Sequence, residues 1–507
     1  MKKILKKNKF IIFILLLSAF LRLFKISDYM EFLGDQGRDV VLVAKFLKER
    51  DLMFIGPQTS IGNMYLGPLY YYLMAPFLLF SNFNPVGPAI MVALFSVATT
   101  FLIYLLAKKY LNHPTALIAS FLYSISPVII KYSSFSWNPN IMPFFSLLFI
   151  WSIYQVFIQK KYKFLILSSI SFIFCLNSHY LALLLLPVFA IYFFYYSVIL
   201  SQSKDPVGIN KQFIKYSLYA LLLFFLSLLP QILFDIKHNG QNINSIIKFF
   251  TIRQTTVNLK VYKAIPQIWP LFRQIITRLI AGKNEIWGSL ISTLLFFGFL
   301  FSFLKTRKQA SAQSPAGGQA PFLTLLYIWL IIGILGLGLY KQHIYDHYFA
   351  FLFPIVCLLT ANFISFLFQQ KFYIKLLAIL LLAIIATLSI LENPFRFSAN
   401  KQLQTTKKIV DLIAQESNQN EFNLALLAKQ NYDPPYRYIA NLKKLPLYLL
   451  ADKKTDQLFV ICEPWQQECT PEGDPLWDIA AFGPAKIRQQ WEVNNIKIFL
   501  MTPSEKD

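Results

Sequence analysis

The stretch Gly34-Asp35-Gln36-Gly37-Arg38-Asp39 brings two carboxylates and a guanidinium close together in the chain. Arg38 and Asp39 follow Asp35 at the spacings that share a helix face. The stretch comes just after the first long apolar run, roughly Phe10 to Phe24. Charged groups placed where a membrane helix leaves the bilayer suggest chemistry at the membrane surface. Val40 to Leu47 continues as an amphipathic helix, which puts Asp35 near an N-cap, where a carboxylate accepts backbone N–H bonds. A purely structural account competes on equal terms: Asp35 as a helix cap and Arg38 as its ion-pair partner.

Other polar residues stand at the ends of apolar runs. Ser136-Trp137-Asn138-Pro139-Asn140 ends one of them and also reads as a plain turn. Leu176-Asn177-Ser178-His179-Tyr180 joins two runs with almost no loop. An ionisable residue such as His179 is costly at a membrane edge unless it faces a polar cavity. Lys341-Gln342-His343-Ile344-Tyr345-Asp346-His347-Tyr348 precedes a late run. His343, Asp346 and His347 at this spacing could hold a divalent metal. No further ligands stand out nearby, so a hydrogen-bonding and charge-stabilising cluster is the favoured reading. No cofactor is otherwise indicated.

These positions make sense only in a membrane. The chain has 507 residues, 56% hydrophobic and 14% charged, where a soluble domain is nearer to about 25% charged. About 20 apolar residues cross a bilayer. The candidate spans are roughly 8–26, 86–106, 115–133, 140–158, 163–178, 180–200, 213–234, 286–305, 322–340, 348–368 and 372–391. The fold class is therefore a polytopic α-helical membrane protein with about eleven transmembrane helices. The first run has no small-residue cleavage site after it and reads as a retained helix rather than a signal peptide. The net charge of +23 lies largely in short loops, as topology signals rather than a nucleic-acid surface.

Charge also sets the count. If the Pro68–Phe80 run does not span, Lys108/Lys109, Lys160/Lys161/Lys163, Lys204/Lys211, Lys305/Arg307/Lys308 and Lys371/Lys375 all share a side with the lysine-rich N-terminus. That obeys the positive-inside rule. The run is therefore expected in the interface as a juxtamembrane helix. The N-terminus is then cytoplasmic and everything after about 392 extracytoplasmic. Lys308 to Gln319 reads as a disordered linker. The long outer loop 235–285 is basic (Arg273, Arg278 and Lys283 among others) and could grip lipid phosphate or be merely solvated.

The tail has ordinary charge, strand-like runs (Phe422–Leu427, Gln457–Cys462, Ile496–Met501) and a helical pattern from about Gln402 to Gln415. Two domains follow: 1–391 in the membrane and 392–507 as a small extracytoplasmic α/β domain. Cys175 and Cys357 sit in apolar runs as packing residues. Cys462 and Cys469 could form a disulfide in an oxidising compartment or remain thiols.

An acidic residue after the first membrane helix, a Pro-Leu-Tyr-Tyr-Tyr-Leu helix closing that loop, short polar ends after the third and fifth spans, and Asp346-His347-Tyr348 before an apolar run broken by Pro354 form a pattern. It resembles the GT-C membrane glycosyltransferases, especially the protein-mannosyltransferase and aminoarabinose-transferase-like branch (glycosyltransferase family 39 and relatives). The resemblance covers most of residues 1–391. That family usually carries an adjacent Asp-Glu pair in the first loop. Here Asp35 matches the first acid, Arg38 the nearby arginine, and Gln36 stands in place of the second acid; Asp39, one turn on, is in a position to compensate.

The resemblance implies transfer of a sugar from a polyprenyl-phosphate donor to a protein, lipid or glycan acceptor on the outer face. Asp35 is the expected general base. One base with no nucleophilic carboxylate implies inversion. Arg38, His343, Tyr345 and His347 would steady the leaving phosphate. Asp39, Asn138, His179, Asp346 and Tyr348 complete the substrate-binding candidates. The expected partners are the donor, the acceptor and the lipid bilayer, with no nucleic acid. Two other readings compete. A transporter or flippase would show repeats and midplane charges, which the sequence lacks. A non-catalytic cell-envelope assembly protein would leave the Asp35 and His343–Tyr348 clusters without a role.

Overall fold

The computed structural model describes residues 8–59, 62, 64–202, 211–251, 256–258, 260–312, 319–463 and 469–504. The chain forms two compact units, each built from separated segments. One comprises Met1–Phe24, Leu52–Leu73 and Ile90–Ser398. The other comprises Lys25–Asp51, Met74–Ala89 and Ala399–Asp507. The second unit thus takes in more than the tail: it includes the first-loop segment that carries Asp35.

The first unit is helical. Helix is found at every apolar run expected to span. Among the described residues, seven helices are long and apolar enough to cross a membrane: Val86–Tyr110, Asn138–Ile158, Lys211–Lys237, Glu285–Lys305, Gln319–Leu337, Asp346–Phe368 and Phe372–Leu391. The other expected spans are shorter or broken. Lys9–Leu23 and Phe164–Ser178 have 15 residues each. His113–Ile125 and Pro127–Tyr132 meet at Ser126, because Pro127 has no N–H to continue the ladder. Tyr180–Leu185 is a 3₁₀ turn leading into Leu186–Gln202. Leu69–Phe80 has 12 residues, about 18 Å of helix against a bilayer core of about 30 Å. The expected linker at Lys308–Gln319 is helical as far as Ala312, and 313–318 lie outside the described residues, as do Lys204 and Arg253.

Composition explains the packing. Lys211–Lys237 buries none of its residues; Leu218, Leu222 and Phe225 are exposed, an apolar surface that lipid would cover. Asp346–Phe368 is buried along most of its length. Arg22 is fully buried, which is costly unless its donors are satisfied. Its Nε donates to Ser96 Oγ at 2.7 Å, Nη1 to the carbonyls of Ser18 and Ser124 at 3.1 Å, and Nη2 to the Tyr123 carbonyl at 3.1 Å. This guanidinium pins the first helix to two others.

The second unit holds a four-stranded sheet in the order β1-β2-β4-β3, with β1 Asn423–Leu427, β2 Leu458–Cys462, β3 Ala485–Val493 and β4 Ile496–Pro503. β1 and β2 are parallel, while β4 runs antiparallel to both β2 and β3. β2 is buried throughout. The predicted strands and the helix Gln402–Glu416 are all present. β3 is the one the pattern missed: it is mostly exposed at the sheet edge, and the alternation of Ala485, Ile487, Trp491 and Val493 with polar residues is interrupted at Gln489, where the register shifts. Cys462 and Cys469 are joined as a disulfide.

In this unit the helix Gly34–Glu49 lies against the helix Pro434–Leu442. A Cβ at Gly37 would come 2.3 Å from the Pro435 nitrogen and one at Gly34 would come 2.5 Å from the Tyr432 ring. Gly37→Ala gains about 1 kcal/mol of helix propensity but overpacks this contact, which costs about 1–3 kcal/mol. The clash is with backbone, which cannot swing aside, so the second term should win. A lower melting temperature for Gly37→Ala in detergent is the expected result; an unchanged or higher one would show that the helices separate at little cost.

Candidate active site

The sequence-predicted residues fall into two sets, one in each unit. The set in the second unit is Asp35, Arg38 and Asp39. Asp35 is not the N-cap. The helix begins at Gly34 and Leu33 is its cap residue. The first orphan donors are met by other side chains: Leu33 N–H donates to Gln36 Oε1 at 3.0 Å, and Gly34 N–H to Asn431 Oδ1 at 2.8 Å. Asp35 is one position further in, so its carboxylate is released from capping. Arg38 Nη1 donates to Asp35 Oδ1 at 3.0 Å, while its Nη2 and Nε reach Asp39 Oδ1 at 2.7 and 3.0 Å. Asp39 is fully buried, whereas the Asp35 side chain keeps 39% of its surface open. Buried Asp39 therefore anchors Arg38, and Arg38 orients the accessible Asp35.

Tyr432, which the sequence reading missed, also donates its hydroxyl to Asp35 Oδ1. Partial burial, and next the bond to Asp35, hold its phenol above the usual range. Its neighbour Asn431 donates to Glu463 Oε1 at 2.6 Å, which also accepts from Tyr436 at 3.0 Å. Nothing in the local pattern of the tail marks Tyr432, because its partner lies nearly four hundred positions away.

The set in the first unit gathers at Asn138, His179 and the 345–348 loop. The His347 ring lies 4.5 Å from Trp137, 4.6 Å from Tyr348 and 5.8 Å from Tyr345, where it is stacked. His179 lies 5.3 Å from Tyr348 and 6.1 Å from His347. Asn138 Nδ2 donates to the Ser178 carbonyl at 2.5 Å, tying Trp137 to the end of the helix that presents His179. His343 is exposed and meets this cluster through Tyr345, 4.6 Å away.

Asp346 turns away from the histidines to Arg278. Arg278 Nε donates to Asp346 Oδ1 at 2.7 Å and Nη2 donates to Oδ2, a bidentate pair. With both carboxylate oxygens engaged, the loop does not suit a metal. Among the described residues no group of three His, Cys, Asp or Glu side chains could hold one. The ion pair raises the Arg278 guanidinium further. Partial burial, then repulsion from Arg278 and Lys131, lowers Lys283. Arg278, Lys283 and Lys131 thus gather in one neighbourhood with the carboxylates of Asp346, Glu285 and Glu392, and cations placed in this way can meet an anion. The sequence showed Arg278 and Lys283 only as part of a basic loop; Lys131 carried no signal. Beside them a cavity of about 540 Å³ is lined by Lys263, Gln274, Tyr340, Lys341 and Ile344.

A model of the dolichyl-phosphate-mannose-protein mannosyltransferase family matches residues 66–232. The fold is similar to that of ArnT from Cupriavidus metallidurans bound to undecaprenyl phosphate (TM-score 0.60, 9% identity, covering 97% of this chain and 98% of that one). It is also similar to that of the oligosaccharyltransferase AglB from Archaeoglobus fulgidus in complex with an inhibitory peptide and a dolichol-phosphate (TM-score 0.52, 12% identity, 90% of this chain and 70% of that one). Curated protein sequences give no match. The structural likenesses, at 9% and 12% identity, establish a shared fold, and the family model covers residues 66–232 of the 507. The matched segment includes Asn138 and His179 but neither Asp35 nor the 343–348 loop.

Two outcomes follow from this geometry. Arg278→Lys keeps the charge but loses the two-pronged bond to a buried carboxylate, and should cost about 1–3 kcal/mol. Thermal unfolding indistinguishable from wild type would mean that the pair contributes nothing. His179 accepts from the Leu181 N–H through Nδ1, and burial lowers it to about 4 from an ordinary 6.5. The unfolded chain binds a proton first, so this contribution is intact above about 6.5 and is lost as pH falls toward about 4. His179→Asn retains an acceptor without titrating. Its melting temperature should fall less between pH 6.5 and pH 4 than that of wild type; parallel curves would exclude His179 as the source.

Proposed function

We propose that this chain transfers a sugar from a polyprenyl-phosphate donor to an acceptor hydroxyl on the extracytoplasmic face, with inversion, and that Asp35 is the general base. The observation that carries the reading is the Asp35 carboxylate itself: oriented by a buried-anchored arginine, yet open to solvent. A carboxylate fixed in this way can accept a proton from a hydroxyl brought to it. The lipid phosphates in the ArnT and AglB structures support the donor class.

In the reaction the acceptor oxygen bonds to the anomeric carbon as the bond from that carbon to the phosphate oxygen breaks. The hydroxyl proton passes to Asp35 and the electron pair leaves with polyprenyl phosphate. No second carboxylate is needed for a single displacement. The leaving phosphate needs positive charge rather than an acid. Roles are assigned to each unit from its own geometry. In the second, Arg38 and Asp39 orient Asp35. In the first, the cation group around Arg278 receives phosphate, with Asp346 positioning Arg278. His179, His343, Tyr345, His347, Tyr348 and Trp137 supply aromatic faces and hydrogen bonds to the donor, and Asn138 braces them.

The orientation, with the N-terminus cytoplasmic and the tail outside in the plasma membrane, is supported by the basic short loops and the Cys462–Cys469 bridge, which suits an oxidising compartment. The test is release of free polyprenyl phosphate from a panel of polyprenyl-phosphate sugars offered with candidate acceptors. Asp35→Asn should lower turnover by about 10²–10⁴-fold with unchanged folding. Turnover by Asp35→Asn equal to wild type would remove Asp35 from the chemistry.

A further inference from the structure

The Tyr432 hydroxyl occupies the carboxylate oxygen of Asp35 as an acceptor hydroxyl would. Both are neutral O–H groups donating to the same anion, and the phenol keeps its proton because its titration is raised. We propose that Tyr432, on the loop between β1 and the helix Pro434–Leu442, is a displaceable stand-in for the acceptor that keeps water from Oδ1, the Asp35 oxygen that Arg38 orients, until an acceptor hydroxyl takes its place. This rests on the assignment of Asp35 as base and extends it: the C-terminal tail guards the base and lies where the acceptor's hydroxyl must enter.

Three features fit a stand-in that moves. Tyr432 is 42% exposed, so its ring has room to swing outward. Its ring lies directly over the Gly34 backbone, an approach that any Cβ at Gly34 would block. The adjacent Asn431 is held at both ends, by Gly34 N–H and by Glu463, so the loop stays in place while the ring leaves. Arg38 also lies 3.4 Å from the phenol oxygen and retains its bonds to Asp35 and Asp39 after the phenol departs. The carboxylate is thus still oriented when the acceptor arrives.

Without the phenol, water can take its place on the oriented Asp35 Oδ1. Water then attacks the anomeric carbon, its proton passes to Asp35, the free sugar forms and polyprenyl phosphate leaves. The donor is spent without transfer. A hydrogen bond to a charged group is strong enough that its removal should raise this hydrolysis by roughly tenfold.

The measurement uses the full-length protein and each polyprenyl-phosphate sugar of the panel, with and without acceptor. Free sugar and transferred sugar are quantified separately. Tyr432→Phe should raise acceptor-independent sugar release by roughly tenfold and lower the acceptor KM. Gly34→Ala, which displaces the ring but leaves the phenol in the chain, should act in the same direction and provides a second variant if Tyr432→Phe fails to fold. Asp35→Asn with Tyr432→Phe should release nothing. Hydrolysis at the wild-type level in both single variants would overturn the proposal, as would loss of transfer with no gain in hydrolysis. If Asp35→Asn still transfers sugar, the base assignment fails instead, whatever the Tyr432 variants do.

Discussion

The placement of Asp35 depends on a backbone contact made possible by two missing side chains. Gly34 and Gly37 fall one turn apart on the same helix, and each admits part of the 431–435 segment where a Cβ would collide. The contact has three consequences at once. Asn431 can reach the Gly34 N–H and satisfy a donor left over at the helix start. Tyr432 can lie flat and reach the carboxylate. Gln36 is left to hold the Leu33 N–H. Asp35 is therefore spared the capping role its position would otherwise invite, and a spared carboxylate is one that can do chemistry.

The first unit handles charge differently. Arg22 is buried with hydroxyl and carbonyl partners and, among the described residues, no ion pair to a carboxylate. Those partners suit a helix junction, because carbonyls are always available there and a polar cavity is not required. Arg278, by contrast, is paired with a carboxylate and has Lys131 and Lys283 nearby. The pairing fixes the geometry of one cation, and Lys283 and Lys131 stand beside it. That distinction separates a structural arginine from one able to receive an anion, and it cannot be drawn from residue type alone.

The sequence reading reached the membrane helices because apolar length is a local property, and the strands with buried faces for the same reason. It missed β3, an exposed edge strand whose alternation is interrupted at Gln489, and it read 115–133 as one continuous helix, because hydropathy does not register the break at Pro127. The candidate residues of the first loop were legible from their spacing, since Asp35, Arg38 and Asp39 interact within one helix. Their supporting partners were not. Tyr432, Asn431 and Glu463 come from the tail, and Lys283 nears Arg278, Asp346 and Lys131 only after folding. The spacing of the 343–347 loop also could not show that Arg278 takes the Asp346 carboxylate.

An arginine and a phenol bonded to the same carboxylate would seem to weaken it as a base. The two donors are not equivalent. Arg38 is also bonded to buried Asp39, so its charge is shared between two anions, and it fixes direction more than it quenches basicity. Tyr432 is neutral and partly exposed, and its loss costs only a hydrogen bond that an incoming hydroxyl replaces in kind. Exchange of one O–H donor for another leaves the carboxylate's environment nearly constant. The base then need not be desolvated afresh when the acceptor arrives, and the preorganisation held by Arg38 carries through to the reacting complex.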